Sequence, residues 1–456
     1  PQRCPAIALL LVALALCAEA STHELVVLHV NDTHGRLFAS DGARSGEQGG
    51  IARLATLVNE VRAEHPARVL LLHAGDVFSR GDPVTVATGG EANFGVMNHL
   101  GYDAFTPGNG DFYWGVDDLL AQRAIAEFAV VHANVVYKNT GETVFDPYAI
   151  IERNDLRLAV LGLGVIRIEH PLAAGLRMHS PIAAAERLVP ELRKQADLVI
   201  ALSHLGFTAD EQLARKVPGI DLIVGGHSHT TLRNAQTVVG PDGKDVLIVQ
   251  AGEYGRFLGR LDVTVEKTET GAAIVQAKGK LLRVLDGVTA DKATVAILER
   301  YAAPLQETVC MAKSRVPHPS QGDSPMAALV ADALKASGAD VVLLRRGDLS
   351  GGFEKGPVAL ADLYRVHPWR NEVFLLAMSG AQIKSAVLNN AFLLDGRAAD
   401  PVHLEVDKDY SVAAADYACG ESACLRALQA QPSGRRIDEL LLDYLRRQGL
   451  VGEDVW

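Results

Sequence analysis

The sequence predicts an α/β fold followed by a second, smaller domain, and three observations carry that prediction. Short apolar runs alternate with helical stretches from residue 24 to residue 286. Each run feeds a polar or glycine-bearing turn, as strands feed loops in an α/β sheet. The chain has 456 residues, a comfortable length for two domains. The expected division is 24–286 and 289–456.

The elements follow in order. Residues 1–20 read as an export signal: Arg3 supplies charge, residues 6–17 are apolar, and Ala18-Glu19-Ala20 offers small residues for cleavage. That run is too short for an ordinary membrane span, and no other segment reads as one. The mature chain is therefore expected to be secreted or periplasmic. Leu16 is bulky where a lipid-anchor motif wants a small residue, which argues against an anchor at Cys17. Residues 25–29 read as a strand. Residues 51–64 carry helical periodicity and stop near Pro66. Residues 68–73, 158–165, 197–203 and 221–224 read as further strands. A helix over 292–309 is expected to join the domains, a helix over 324–334 follows, and residues 339–342 read as a strand.

Composition narrows the function. Hydrophobic residues make up 48 % of the chain, enough for substantial cores. The net charge of −11 argues against nucleic acid as a partner, which would favour a basic face. A small anionic substrate is compatible with it, because a metal site carries its own local positive charge. Beyond the export signal the cysteines are Cys310, Cys419 and Cys424. Cys419 and Cys424 could close a small loop in an oxidising compartment, but three cysteines make no disulfide scaffold and none has thiolate metal-site spacing.

The polar residues after the apolar runs carry the chemistry. Asn31-Asp32-Thr33-His34 follows the first run, and Ala74-Gly75-Asp76 the second. Pro107-Gly108-Asn109 comes next, then Ser203-His204, then Gly225-Gly226-His227-Ser228-His229. Together they offer Asp32, Asp76, Asn109, His34, His204, His227 and His229. That mixture of carboxylate, amide and imidazole suits Mn, Zn or Fe. Two such ions about 3.5–4 Å apart would polarise a phosphoryl oxygen and supply a hydroxide nucleophile.

Those motifs, in that order and context, resemble the calcineurin-like metallophosphoesterases. The flanking Val30-Asn31-Asp32-Thr33-His34-Gly35 and Gly49-Gly50-Ile51-Ala52-Arg53-Leu54 resemble the 5′-nucleotidase branch. The resemblance implies a four-layer α/β/β/α metal domain with a smaller α+β substrate domain. It implies Asp32, His34, Asp76 and His229 around one divalent ion, and Asp76, Asn109, His204 and His227 around the other, with Asp76 bridging. Asp76 and Asn109 are then the catalytic pair of the set, in a hydrolysis driven by metal-bound hydroxide. Leu360-Ala361-Asp362-Leu363-Tyr364 and Met378-Ser379-Gly380-Ala381-Gln382-Ile383-Lys384 look like the family's C-terminal domain.

Departures from the family pattern matter as much as the matches. The third motif usually reads Asn-His-Glu or Asn-His-Asp, and here it reads Asn109-Gly110-Asp111. The missing histidine would contact the transferring group, and the aspartate that usually orients it is Tyr113 here. Loss of such a donor would cost about 10²–10⁴ in rate. The substrate segment reads Arg345-Arg346-Gly347-Asp348-Leu349-Ser350, so Arg345 or Arg346 is the candidate anion clamp. Trp369 and Tyr417 are the candidate aromatics for a nucleobase, and Phe374 reads better as core. His73 reads as a buried structural residue. Three functions stay open: hydrolysis of a nucleotide or nucleotide sugar, hydrolysis of another anion as in sulfur-oxidation thiohydrolases, or a non-catalytic metal- or nucleotide-binding descendant.

Overall fold

A computed structural model describes residues 21–42, 46–78, 80–165, 171–269, 271–388, 392–398, 403–426 and 428–452. The export signal and Cys17 lie outside these residues, as does the side chain of Cys424.

Two six-stranded sheets form the heart of the first region. One runs Gly271–Arg283, Phe257–Thr268, Ser21–Val30, Val69–His73, Ala104–Phe105, Ala129–Val130. The other runs Gln236–Val239, Asp245–Val249, Leu222–Gly225, Leu198–His204, Leu156–Gly164, Tyr148–Arg153. Alternation along the first strand explains the layering. Leu25 and Val27 point between the sheets, against Leu158, Val160, Ile200 and Leu222. Val26, Leu28 and Val30 point the other way, onto Leu54 and Val58 of the helix Ile51–Glu64. The second sheet does the same, with Val199 and Ala201 packed against Leu188, Val189 and Leu213. Strands buried on both faces read as continuous apolar runs, and the product is the four-layer α/β/β/α sandwich.

The inner strands of each sheet are parallel. Ser21–Val30 pairs parallel with Val69–His73, which pairs parallel with Ala104–Phe105. Leu198–His204 pairs parallel with both Leu156–Gly164 and Leu222–Gly225. Their carboxyl ends therefore open on the same edge of the molecule, where α/β folds gather ligand groups.

The second region has its own core around a five-stranded sheet: Leu393–Leu394, Val341–Leu344, Asp409–Ala415, Glu372–Ser379, Gln431–Arg436. The helix Pro325–Leu334 packs on it. It starts where Ser324 Oγ accepts from Ala327 N at 3.0 Å, with proline in the first turn, both strong start signals. Phe374 lies in this core, as expected.

The joining helix is shorter than the sequence suggested. It covers Lys292–Ala302, a 3-10 turn covers Ala303–Gln306, and Thr308–Ala312 is a strand. Pro304 lacks the N–H that a continuing helix needs. Asp291 caps the start, accepting from Thr294 N at 2.8 Å. Cys310 and Cys419 are buried free thiols. Among the described residues no helix is long and apolar enough to cross a membrane.

Side chains meet across the two regions, and Arg370 reaches farthest into a packed slot. Arg370 takes a left-handed backbone conformation, φ 56°. Its guanidinium lies 5.1 Å over the Trp114 ring and 3.5 Å from Asp118. Its Nε and Nη1 are buried with no hydrogen-bond partner. A side chain at Gly89 would collide with it.

Candidate metal centre and substrate cleft

All seven residues singled out as ligands stand at those carboxyl ends, and backbone geometry aims them. Asp32, His34, Asp76, His227 and His229 all have φ between 48° and 71°. Left-handed conformations are rare outside glycine and persist at sites the surroundings over-determine. Glycine neighbours make room. A β-carbon at Gly75 would strike the His204 ring, and one at Gly108 would meet both the Asp76 carboxylate and His204.

The side chains form two overlapping groups. Asp32, His34 and His229 place ligand atoms within 4.8 Å of one another, and so do Asp32, Asp76 and His204. His229 Nε2 lies 3.3 Å from Asp32 Oδ1, and His204 Nε2 lies 3.4 Å from Asp76 Oδ1. His34 Nε2 is 3.8 Å from both Asp32 and Asp76. The carboxylate common to both tight groups is Asp32, whereas the sequence reading puts the bridge at Asp76. The His227 ring stands beside His204, centroids 5.1 Å apart.

A test of fit comes from buried atoms. Asp32 Oδ1, Asn109 Oδ1 and His204 Nε2 are buried without a hydrogen-bond partner. A buried polar atom left unpaired costs about 1–3 kcal/mol. Asp32 Oδ1 and His204 Nε2 lie 3.9 Å apart, and with Asn109 Oδ1 they offer oxygen and imidazole nitrogen from separate loops, a donor set that fits divalent cations. Their opposite faces are fixed. Asp32 Oδ2 accepts from Asn31 Nδ2 at 2.7 Å and from His227 N at 2.8 Å. His204 Nδ1 faces the Ala74 carbonyl at 2.7 Å, and Asn109 Nδ2 donates to Tyr113 Oη at 2.9 Å. Orienting partners of this kind hold a ligand's donor atom toward a metal.

Electrostatics agree with an anionic nest that wants cations. Burial opposes charge on His204, but Asp76 and Asp32 push it up to about 10. Burial also works against Asp76, and the His204 and His34 side chains with the Gly110 N–H hold its carboxyl below the usual range. Burial and the Asp76 charge raise Asp111 to about 7. Asp111 does not point at the cluster. It accepts from the backbone N–H groups of Asp76, Val77, Phe78 and Gly108 at 2.8–3.1 Å, tying two motif loops together. His73 is buried, its ring meeting Thr33 Oγ1 at 3.2 Å, and burial lowers it to about 3.

The cluster floors a cleft of about 520 Å³ whose far wall comes from the second region. Trp369 and Tyr417 line it, as does Arg345. Arg345 is engaged: Nε and Nη2 reach Asp348 Oδ1 at 3.1 and 2.9 Å, and its guanidinium sits 4.8 Å over the Tyr417 ring. Arg346 corrects the sequence reading. It turns away from the cleft, donating to the carbonyls of Pro319 and Gly322.

Sequence reasoning missed three contributors. Glu253 holds His229 Nδ1 at 2.6 Å. Tyr254, φ 58°, donates its backbone N–H to the Asp32 carbonyl at 2.8 Å and packs its ring near His34 and His229. Arg80 lines the cleft beside them. The signal for the first two was available. Gly252-Glu253-Tyr254-Gly255 follows the strand Asp245–Val249, the same polar-after-apolar pattern that marked the other loops.

Comparison with known proteins agrees with this fold. The calcineurin-like phosphoesterase family matches residues 25–231, and the 5′-nucleotidase C-terminal domain matches residues 307–444. A 5′-nucleotidase of Vibrio parahaemolyticus is 28 % identical over 439 residues, covering 82 % of this chain and 78 % of the relative. A 5′-nucleotidase precursor of Thermus thermophilus superposes with a TM-score of 0.68 at 26 % identity, covering 94 % of this chain and 97 % of that one. A sulfate thiohydrolase of the same organism, at 21 % identity and a TM-score of 0.60, covers 94 % of each chain and shares the fold.

Proposed function

The chain belongs to the 5′-nucleotidase branch of the calcineurin-like phosphoesterases, and on that premise we propose that it hydrolyses nucleoside monophosphates or nucleotide sugars using two divalent cations. It is a metal-dependent phosphoester hydrolase by family. The finer reading rests on one observation: the buried, unpartnered Asp32 Oδ1 and His204 Nε2 lie beside Asp76, which lines one cleft together with Asn109, Trp369 and Tyr417.

Divalent ions bound there supply positive charge to phosphoryl oxygens and acidify a water. The chain's own residues do the rest. Asp32, His34 and His229 would hold one ion, and Asp76, Asn109, His204 and His227 the other. Glu253 fixes the His229 ring. Tyr113 fixes the Asn109 amide. Trp369 and Tyr417 offer faces for a base, and the cleft is large enough for a nucleotide. The division at 24–286 and 289–456 belongs to the same proposal, supported by the second region's own core from Val309 to Val451, while Leu298, Leu305 and Ala361 pack into the first region's core. So does a secreted or periplasmic location, supported by the sequence of residues 1–20.

The test is phosphate release by metal-reconstituted protein from nucleotides, nucleotide sugars and an aryl phosphate, beside Asp76→Asn. Release that disappears in the variant is the expected result. No release from any of them, with two metals bound, would sink the phosphoesterase reading and favour another anion.

A further inference from the structure

Two arginines line the cleft among the described residues, and they differ in what occupies them. Arg345 is neutralised by Asp348. Arg80 has no carboxylate within 4.0 Å among the described residues, so its charge is available to a ligand. Its guanidinium lies 5.7 Å over the Trp369 ring, and Nη2 donates to Tyr254 Oη at 3.4 Å. Those two contacts set it between the aromatic wall and the metal cluster. Gly110, on the same cleft wall, contributes no side chain at all.

We propose that Arg80 is a catalytic residue, its guanidinium contacting the transferring phosphoryl group and taking up charge that develops there in the transition state. The proposal rests on the phosphoester reading above. In hydrolysis a water oxygen bonds to phosphorus and gives up one proton to solvent, the phosphorus–oxygen ester bond breaks, and the leaving alkoxide takes a proton from solvent. Arg80 keeps its own proton throughout, since a guanidinium is charged at any working pH. It acts as a fixed charge and a donor of two N–H groups, which suits phosphate oxygens. A preorganised donor of that kind is worth about 10²–10³ in kcat.

The experiment compares wild type, Arg80→Ala and Arg80→Lys as metal-loaded enzymes. Arg80→Ala should lower kcat on a nucleoside monophosphate by about 10², with KM changed far less. Arg80→Lys should recover part of the loss, and added guanidinium should raise the Ala variant's rate several-fold. Metal content, measured by elemental analysis, should match wild type. Inorganic phosphate binding, followed by calorimetry, should weaken by about tenfold in Arg80→Ala. Retention of kcat within about threefold, or a loss explained by missing metal, would overturn the proposal. Should wild type release no phosphate from any ester, the phosphoester reading fails on its own. The phosphate-binding comparison then decides about Arg80, and equal affinities overturn it.

Discussion

The floor and the far wall of the cleft were built to different tolerances. On the floor, five of seven candidate ligands sit in left-handed backbone conformations, and glycine neighbours leave no room for error. On the far wall, Arg345 lies over Tyr417, Tyr417 stands edge-on to Tyr113 with ring centroids 5.8 Å apart, and Trp369 stacks under Arg80. A cation site demands particular atoms at particular distances. An organic ligand can be held by several arrangements of aromatic surface and charge. The difference teaches where substitution should abolish activity and where it should only retune it.

Asp32→Ala gives the sharpest contrast. It removes a carboxylate common to both tight groups and leaves His227 N without its acceptor, while Asn31 Nδ2 keeps the Gly252 carbonyl. The expected outcome is a fall in kcat/KM of about 10³ or more with fewer than two metals per chain, read by steady-state kinetics and elemental analysis. Full metal content and near-normal turnover would place the metals elsewhere. Trp369→Ala and Tyr417→Ala should act on the other wall and more gently. Each should raise KM for a nucleotide by about tenfold, leave KM for an aryl phosphate closer to wild type, and spare metal content. A loss of metal in either would erase the distinction between floor and wall.

The smallest effect is expected behind the floor. Asp210 is buried, accepts from Ser203 Oγ at 2.5 Å and has Oδ2 without a partner. Burial raises it to about 8. Its folded pKa thus exceeds the unfolded value of about 3.9. The folded state binds the extra proton between those values, so this contribution to stability is fully present below about pH 4 and is lost as pH rises toward about 8. Asp210→Asn should flatten the pH dependence of the melting temperature across that window. An unchanged slope would show that Asp210 is ionised in the folded protein.

The same contrast explains what was legible in the sequence. The candidate metal residues could be read because strand ends repeat one pattern, an apolar run followed by a polar loop, and because two carboxylates, an amide and four histidines have few other reasons to recur there. The strands and the helix Ile51–Glu64 followed from periodicity. The joining helix was read too long because the apolar spacing continues past Pro304 into a strand. Arg346 was offered beside Arg345 as a candidate anion clamp because a turn rich in arginine and glycine does not reveal where each side chain goes, and here two carbonyls captured it. Arg80 stayed invisible because its role depends on Trp369 and Tyr254, distant in sequence and brought near only by folding.

Arg370 carries a consequence for how this architecture can be recombined. Its guanidinium fills a slot made by Gly89, Trp114 and Asp118, residues that sit more than 200 positions earlier in the chain. The two halves are therefore keyed to each other. A chimera that borrowed either half from a relative would hold a key without its lock, pressing a desolvated cation against a wall, or a lock without its key, leaving an acid and a tryptophan face uncovered. Exchange between relatives of this enzyme should succeed only when residue 370 travels together with residues 89, 114 and 118.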